Sequence, residues 1–346
     1  MRFHIPILLA LGLTACTRPQ PAPPPATPAA AQPPVETPLV VTPKPAPLEA
    51  KLPTYTPDPA APAKGTLASI GSDSMEPLVL LWFDDFHAAF PGVTSNFICK
   101  GSATAPKALV AGTTIMGHMS REMDAGEWAA FQQKFGYPPT RIVVAMDALA
   151  LYVNANNPIR QLGLEQVDAI YSVERKGGLG QSLDTWGDLG LGQEWATRTI
   201  QPYGRDENSG TRAFFKERVL KKGEFKPGVK AVQDQFALVE AAAMDASAIA
   251  YGPIQHSVRM VRAVPLVDYR GTTAILPTVE NVINGKYPLA RFLYIYLNIP
   301  PGKPCDPLVK EFVRFILSQQ GQSDVANFGA VPLPADLALM NLNKIK

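Results

Sequence analysis

The sequence predicts an α/β fold in two lobes. Short apolar strands alternate with segments of helical period, the signature of helices packed on a largely parallel sheet. The alternation comes in two blocks. The long apolar run TRIVVAMDALALYVN, residues 140–154, leaves the first block, and VRAVPLVDYRG, starting at residue 261, returns to it. A two-strand crossing makes a hinge, and the cleft between such lobes is a natural ligand site. The expected bounds are residues 64–153 plus 265–346 for one lobe and 154–264 for the other.

In the first block, Leu67 and Ile70 suit a strand, and Pro77 suits a first helical turn, where its missing N–H costs nothing. Leu78, Leu81, Trp82, Phe86 and Ala89 recur at helical spacing, and Pro91-Gly92 ends that helix. VTSNFICK reads as a strand, GSATAPKALVAG as a turn and helix, TTIMGHMS as a strand entering a turn, and REMDAGEWAAFQQKFG as a helix.

In the second block, LGLEQVDAIYS is helical and TWGDLGLGQEW is a glycine-rich loop. TIQPYGRDENSGTRAFFKERVL is a strand, a turn and a helix, and QFALVEAAAMDASAIAYGPI is a helix followed by a strand. Back in the first block, YPLARFLYIYLN is a strand and PLVKEFVRFILSQQGQSDVANFG is a helix. Phe312, Phe315 and Ile316 lie on one face of that helix, with Glu311, Arg314 and Gln319 opposite.

Ahead of the folded part, MRFHIPILLALGLTAC carries an arginine and an apolar run too short to span a bilayer. It reads as an export signal over residues 1–16. Leu13-Thr14-Ala15-Cys16 resembles the bacterial lipobox, which makes Cys16 the lipidated residue of the mature chain. Thr17 in place of an aspartate favours the outer membrane, by resemblance to the sorting rule of two-membrane bacteria. Residues 17–63 are rich in proline and alanine, so neither helix nor sheet propagates through them. They are expected to be a disordered, semi-rigid spacer.

The net charge of +2 over 346 residues suggests no nucleic-acid partner, so any preference for an anion is local. Cys99 and Cys305 are far apart in sequence, which leaves a disulfide open. The four histidines are scattered, and no metal or cofactor is expected.

Four strand-to-helix turns carry the chemistry. GSDSMEP offers Ser74 and the Met75 amide, GSATAP offers Ser102, MSREM offers Ser120 and Arg121, and YGRDENSGT offers Arg205, Ser209, Gly210 and Thr211. Free N–H groups and the positive dipole end at a helix start favour an anion. A guanidinium can hold a tetrahedral oxyanion with two bonds, and glycine lets backbone come close. These turns also read as plain N-capping by their serines or Asp73, with Arg205 in a surface salt bridge and Arg121 a solvated arginine at a helix start. In an α/β sheet such turns gather at the carboxyl ends of the strands, facing the cleft.

GSDSMEPL, GSATAP, MSREM, YGRDENSGT, AIAYGPI, YPLARFLYIYLN and SQQGQSDVANFGAVPLP follow one another as in the PstS-like phosphate-binding proteins of bacterial phosphate ABC transporters. The resemblance covers nearly all of the chain after Lys64. It implies the two-lobed type II periplasmic-binding-protein fold, with inorganic phosphate held between lobes and delivered to the membrane subunits of an ABC permease. It also implies a lipid-anchored monomer in the periplasm or cell envelope that is not an enzyme. The family's best-known members have an aspartate in the third turn that accepts the phosphate proton; here Ser120-Arg121 stands there. Asp73 and Asp147 are the carboxylates considered in its place, and Asp147 reads equally as a structural acid near the hinge. Two rival readings are a surface-anchored phosphate-binding scaffold or sensor uncoupled from transport, and a phosphatase using Ser74 or Ser209 without an adjacent histidine base.

Overall fold

The computed structural model describes residues 48–256 and 258–345. The expected export signal, Cys16 and residues 17–47 lie outside the described residues. The elements, in chain order, are β1 (Lys64–Gly71), α1 (Glu76–Ala89), β2 (Gly92–Cys99), α2 (Thr104–Ala111), β3 (Met116–Met119), α3 (Ala125–Phe135) and β4 (Thr140–Asn154). Then come β5 (Leu162–Gly163), α4 (Leu164–Tyr171), β6 (Gln201–Arg205), α5 (Gly210–Arg218), β7 (Lys230–Val232), α6 (Gln235–Met244), β8 (Ala248–Pro253), β9 (Val261–Ala263) and β10 (Leu266–Val267). The chain ends with α7 (Val279–Ile283), β11 (Ala290–Leu297), α8 (Pro307–Ile316), α9 (Gln319–Phe328) and α10 (Ala335–Leu342).

One sheet runs β3-β11-β4-β8-β6-β7, with β9 also on β4. β4 organises it. Residues 142–154 are buried without a break, so both faces of the strand are covered. From Thr140 to Ala148 it pairs with β11, and from Leu149 to Val153 with β8. The partner changes between Ala148 and Leu149, and Leu149 N–H donates to Leu289 O at 3.0 Å on the returning chain.

Among the described residues, parallel pairing is confined to β1–β2, β6–β7, β6–β8 and β5–β10. The pairs around β4 are antiparallel. For β4 and β11 the reason is the path of the chain: one strand leaves and the other returns. β1 and β3 are stitched at their ends, where Ser72 N–H donates to His118 O at 2.8 Å and Thr114 Oγ1 donates to Ala68 O at 3.2 Å.

α1 packs on α8 and α9 through Phe86 against Phe312, with ring centroids 5.2 Å apart, and Trp82 Nε1 donates to Gly321 O at 2.8 Å. In the second block, Phe215 of α5 stacks on Tyr251 of β8 at 3.9 Å, which seats α5 on the sheet. Residues 266–269 contact this block: β10 pairs with β5, and the Tyr269 hydroxyl donates to Val219 O just past α5.

Two local expectations are corrected. The single helix expected at 307–329 is two, because Ser318 caps α9, accepting from Gly321 N–H at 3.3 Å. Glu311, expected on the polar face, is buried. It accepts from Tyr55 Oη at 2.8 Å and Asp58 N–H at 3.0 Å, and also from Arg314. The cause is residues 49–58, which the proline content assigns to the spacer. They lie against this face, with Leu52 buried and Tyr55 edge-on to Phe315 at 5.2 Å.

Candidate functional site

Capping and ligand binding use the same residue types, and the hydrogen bonds separate them. The 3-10 turn Asp73–Met75 and α1 behind it have no side-chain cap, and neither has α2. The serines of these turns reach toward one another instead. Ser72 Oγ lies 2.9 Å from Ser74 Oγ and donates to Ser120 Oγ at 3.0 Å. Ser102 Oγ lies 3.2 Å from Ser120 Oγ and accepts from Ser120 N–H at 3.0 Å. All four serines are buried. The Met75 amide is drawn into the turn by a long bond of 3.3 Å to Ser72 O, and the Met75 side chain is buried in the core.

The 205–211 turn faces this cluster from the second block. Arg205 ends β6 and is 1% exposed. Its Nε donates to Val232 O at 3.2 Å, and its Nη2 donates to Gln233 O at 2.5 Å and to the Asp73 carboxylate. Nη1 of Arg205 and Oδ1 of Asp73 are buried with no hydrogen-bond partner. Ser209 is a true cap, accepting from Arg212 N–H at 3.4 Å, and Gly210 opens α5. A Cβ placed on Gly210 would stand 2.1 Å from Ser102 Oγ and 2.5 Å from Ser120 Oγ, so glycine is required for this approach. Alongside, Ala103 N–H donates to Asn208 O at 3.3 Å.

Ser72, Ser74, Ser102 and Ser120 thus meet the N-terminus of α5, whose first N–H groups have no carbonyl a turn behind them. A cavity of about 530 Å³ borders the cluster, lined by Asp73, Glu76, Lys100, Gly101, Asn208 and Gln235 among others. The arrangement suits a small oxyanion held by dipoles and hydroxyls rather than by net charge, because Asp73 neutralises Arg205.

Of the residues singled out from the sequence, Ser74, Ser102, Ser120, Asp73, Arg205, Ser209, Gly210 and Thr211 are brought together. Arg121 is not. Its guanidinium donates to both Glu127 carboxylate oxygens at 2.6 Å and faces a different cavity. Asp147 is fully engaged: Oδ2 accepts from Arg291 Nε and Nη2 at 2.9 and 2.7 Å, and Oδ1 accepts from Ala148 N–H at 2.7 Å. Burial raises its pKa above the usual carboxylate value, and Arg291 opposes that shift.

Sequence reasoning missed Arg291 and the place of Ser72 in the serine cluster. Arg291 is buried and its Nη1 donates to Thr211 Oγ1 at 3.1 Å. The available signal was a lone arginine in YPLARFLYIYLN and a lone aspartate in VVAMDALALYV, two apolar strands whose charges need partners.

Cys99 and Cys305 are free thiols. Cys99 Sγ lies 3.4 Å from His118 Nε2, and His118 Nδ1 lies 2.8 Å from Ser69 Oγ. Burial pushes the thiol up to about 12 and the imidazole down to about 4, so both are neutral and neither is an activated group.

A family model for the PBP superfamily domain matches residues 56–320. The chain is 41% identical over 291 residues to the phosphate-binding protein PstS of Pseudomonas aeruginosa, covering 84% of this chain and 90% of that protein. It is 27% identical over 274 residues to the phosphate-binding protein PstS of Staphylococcus saprophyticus, covering 78% of this chain and 81% of that one. Among solved structures, a Clostridium perfringens substrate-binding protein with bound phosphate aligns at a TM-score of 0.65 and 25% identity, over 78% of this chain and 100% of that chain. An ABC-type phosphate transport receptor from Vibrio cholerae shares the fold at a TM-score of 0.61 and 20% identity, over 78% of this chain and 100% of that chain.

Proposed function

This chain belongs to the PstS-like phosphate-binding proteins of the periplasmic binding protein superfamily, and we propose that it binds inorganic phosphate between its lobes and delivers it to an ABC-type permease. The observation that carries the reading is the convergence of Ser72, Ser74, Ser102 and Ser120 on the start of α5, beside a guanidinium already neutralised by Asp73. The hydroxyls donate to phosphate oxygens, the first-turn amides of α5 add their dipoles, and Arg205 offers its unpartnered Nη1. Ser74, Ser102, Ser120, Arg205, Ser209, Gly210 and Thr211 form the proposed ligand set, with Ser72 added and Arg121 left out. Asp73 Oδ1, a free acceptor, takes the phosphate proton in this reading; Asp147 has no oxygen to spare.

We place the lobe crossings where the pairing changes, near residues 148–149 and 289–290, with residues 49–58 added to the first lobe. Closure brings the 205–211 turn onto the serine turns, and opening separates them. His118, the histidine nearest in sequence to Ser120, is engaged by Ser69 and Cys99; the function proposed is binding without turnover. The export-signal and lipobox pattern of residues 1–16 supports a lipid-anchored protein outside the cytoplasm, with the proline-rich residues that follow as the spacer. Isothermal titration calorimetry on the full chain, freed of prebound ligand, tests the function. Heat from phosphate that is lost in Arg205→Ala is expected, and no heat from phosphate with the wild-type chain would overturn it.

A further inference from the structure

We infer that Arg291 is a positioning residue for the ligand: it locks the Thr211 hydroxyl as a hydrogen-bond donor facing the anion. The inference rests on the phosphate-binding reading above. It begins from the sheet register, in which Arg291 of β11 stands opposite Asp147 of β4. Asp147 Oδ2 takes both Nε and Nη2 of Arg291, which fixes the guanidinium plane. Nη1 is then the donor left to reach α5, and it donates to Thr211 Oγ1 at 3.1 Å.

A hydroxyl has one proton and two lone pairs, and its rotor ordinarily settles to suit its partner. A guanidinium has donors only and cannot be deprotonated in a protein. With Arg291 donating to it, Thr211 Oγ1 must turn its own proton away from the guanidinium. Thr211 is 1% exposed and stands next to Gly210, which touches Ser102 and Ser120, so the proton turns toward the anion site. On the other side Ser72 Oγ donates to Ser120 Oγ, while the Ser72–Ser74 and Ser102–Ser120 contacts are open in direction. The site therefore has a fixed-donor end at Thr211 and an adaptable end at Ser74 and Ser102. An unprotonated ligand oxygen, the stronger acceptor, is favoured at the Thr211 end, and a protonated one at the other.

The relay also ties the ligand to the crossing strands. Asp147 lies one residue before the point where β4 changes partner, and Arg291 follows the first residue of β11. Asp147 cancels the charge of Arg291. Removing Arg291 alone therefore leaves a buried carboxylate unpaired, which threatens folding.

The test is a double-mutant cycle read by phosphate calorimetry on the full chain. Its reference is Asp147→Asn/Arg291→Gln, which removes both charges together, and its second arm is Thr211→Val. The paired variant is expected to weaken phosphate binding by about tenfold in the wild-type background, the scale of one charge-assisted bond. In the Thr211→Val background the same change is expected to alter affinity by less than about twofold. Arg291→Lys with Asp147 intact, which keeps a donor, is expected to recover part of the loss. Equal losses in both backgrounds would show that Arg291 acts through the fold and not through Thr211, and would overturn the inference. Full phosphate affinity in the paired variant would overturn it as well. Both outcomes leave phosphate binding by the wild-type chain standing, so they are distinct from failure of the functional reading.

Discussion

Ser120 N–H donates to Ser102 Oγ at 3.0 Å, while the start of α2, two residues beyond Ser102, has no side-chain cap. Ser102 therefore faces Ser120 and the serine cluster rather than its own helix, which is the side of the proposed anion site. Ser102→Ala should weaken phosphate binding by about tenfold and cost about 1–3 kcal/mol of stability, because the buried Ser120 N–H loses its acceptor. Ser209→Ala, which removes a true cap, should cost about 1 kcal/mol as well as affinity. Calorimetry and urea unfolding of the two variants check this. Full affinity in Ser102→Ala would return that serine to a structural role.

Gly210 gives a test of the approach between the two sides. Its backbone carries no positive φ, so alanine is compatible with the helix start. The added Cβ meets Ser102 Oγ at 2.1 Å and Ser120 Oγ at 2.5 Å, and props the turns apart. Gly210→Ala should bind phosphate at least about tenfold more weakly, with thermal stability lowered because the buried serines must shift to admit the methyl group. Small-angle scattering should show a smaller phosphate-dependent contraction than in the wild type. An affinity equal to wild type would mean the two sides need not touch to hold the anion.

In the proposed reading, Asp73 selects which oxyanion is accepted, because its Oδ1 is an unpartnered acceptor. Arg205 Nη2 requires an acceptor, so in Asp73→Asn the side-chain carbonyl must take the place of Oδ2. The amide nitrogen then occupies the Oδ1 position and donates where the carboxylate accepted. Phosphate, which brings a proton, should lose about tenfold or more in affinity, and sulfate, which brings none, should gain. Competition calorimetry with the two anions measures both. If sulfate stays excluded in Asp73→Asn, the proton acceptor lies elsewhere.

The alternation of strands and helices was legible because apolar period is a local property, and Trp82, Phe86, Phe312 and Phe315 fall in the core their spacing implies. Three features were not. Ser102 and Ser209 belong to the same residue class at the same kind of turn, and only three-dimensional placement makes one a cap and the other part of the converging cluster. The Arg291–Asp147 pair joins strands 144 residues apart, a register that no local pattern encodes. Glu311 sits on the charged side of its helix, yet residues 49–58 cover it. Proline content says which structures a segment cannot form, not whether it packs.

Asp324 of α9 faces Asp85 of α1, and its pKa is raised to about 7, first by burial and then by the neighbouring carboxylate. The folded value lies above the unfolded one, so this group favours the fold at low pH, and the benefit is lost as pH rises toward about 7. Asp324→Asn should raise the melting temperature at pH 8 and leave it nearly unchanged near pH 4. An equal gain at both values would assign the effect to packing instead of charge.

His118 works in the opposite direction. It is fully buried beneath the serine cluster, and burial lowers its pKa from 6.5 to about 4. The unfolded chain therefore binds a proton between about pH 6.5 and 4 that the folded chain refuses. Stability from this group is complete above 6.5 and drains away as pH falls through that window. A shift of this size corresponds to about 3 kcal/mol, since one unit is about 1.4 kcal/mol. The Asp324 dependence overlaps the same window with the opposite sign, so the wild-type profile alone mixes the two. The difference between wild type and His118→Asn, followed by urea unfolding from pH 7.5 to 4, isolates it. That difference should shrink steadily as the pH falls, because asparagine has no proton to gain. A constant difference across the window would mean that His118 is charged in the fold or that its protonation is the same in both states.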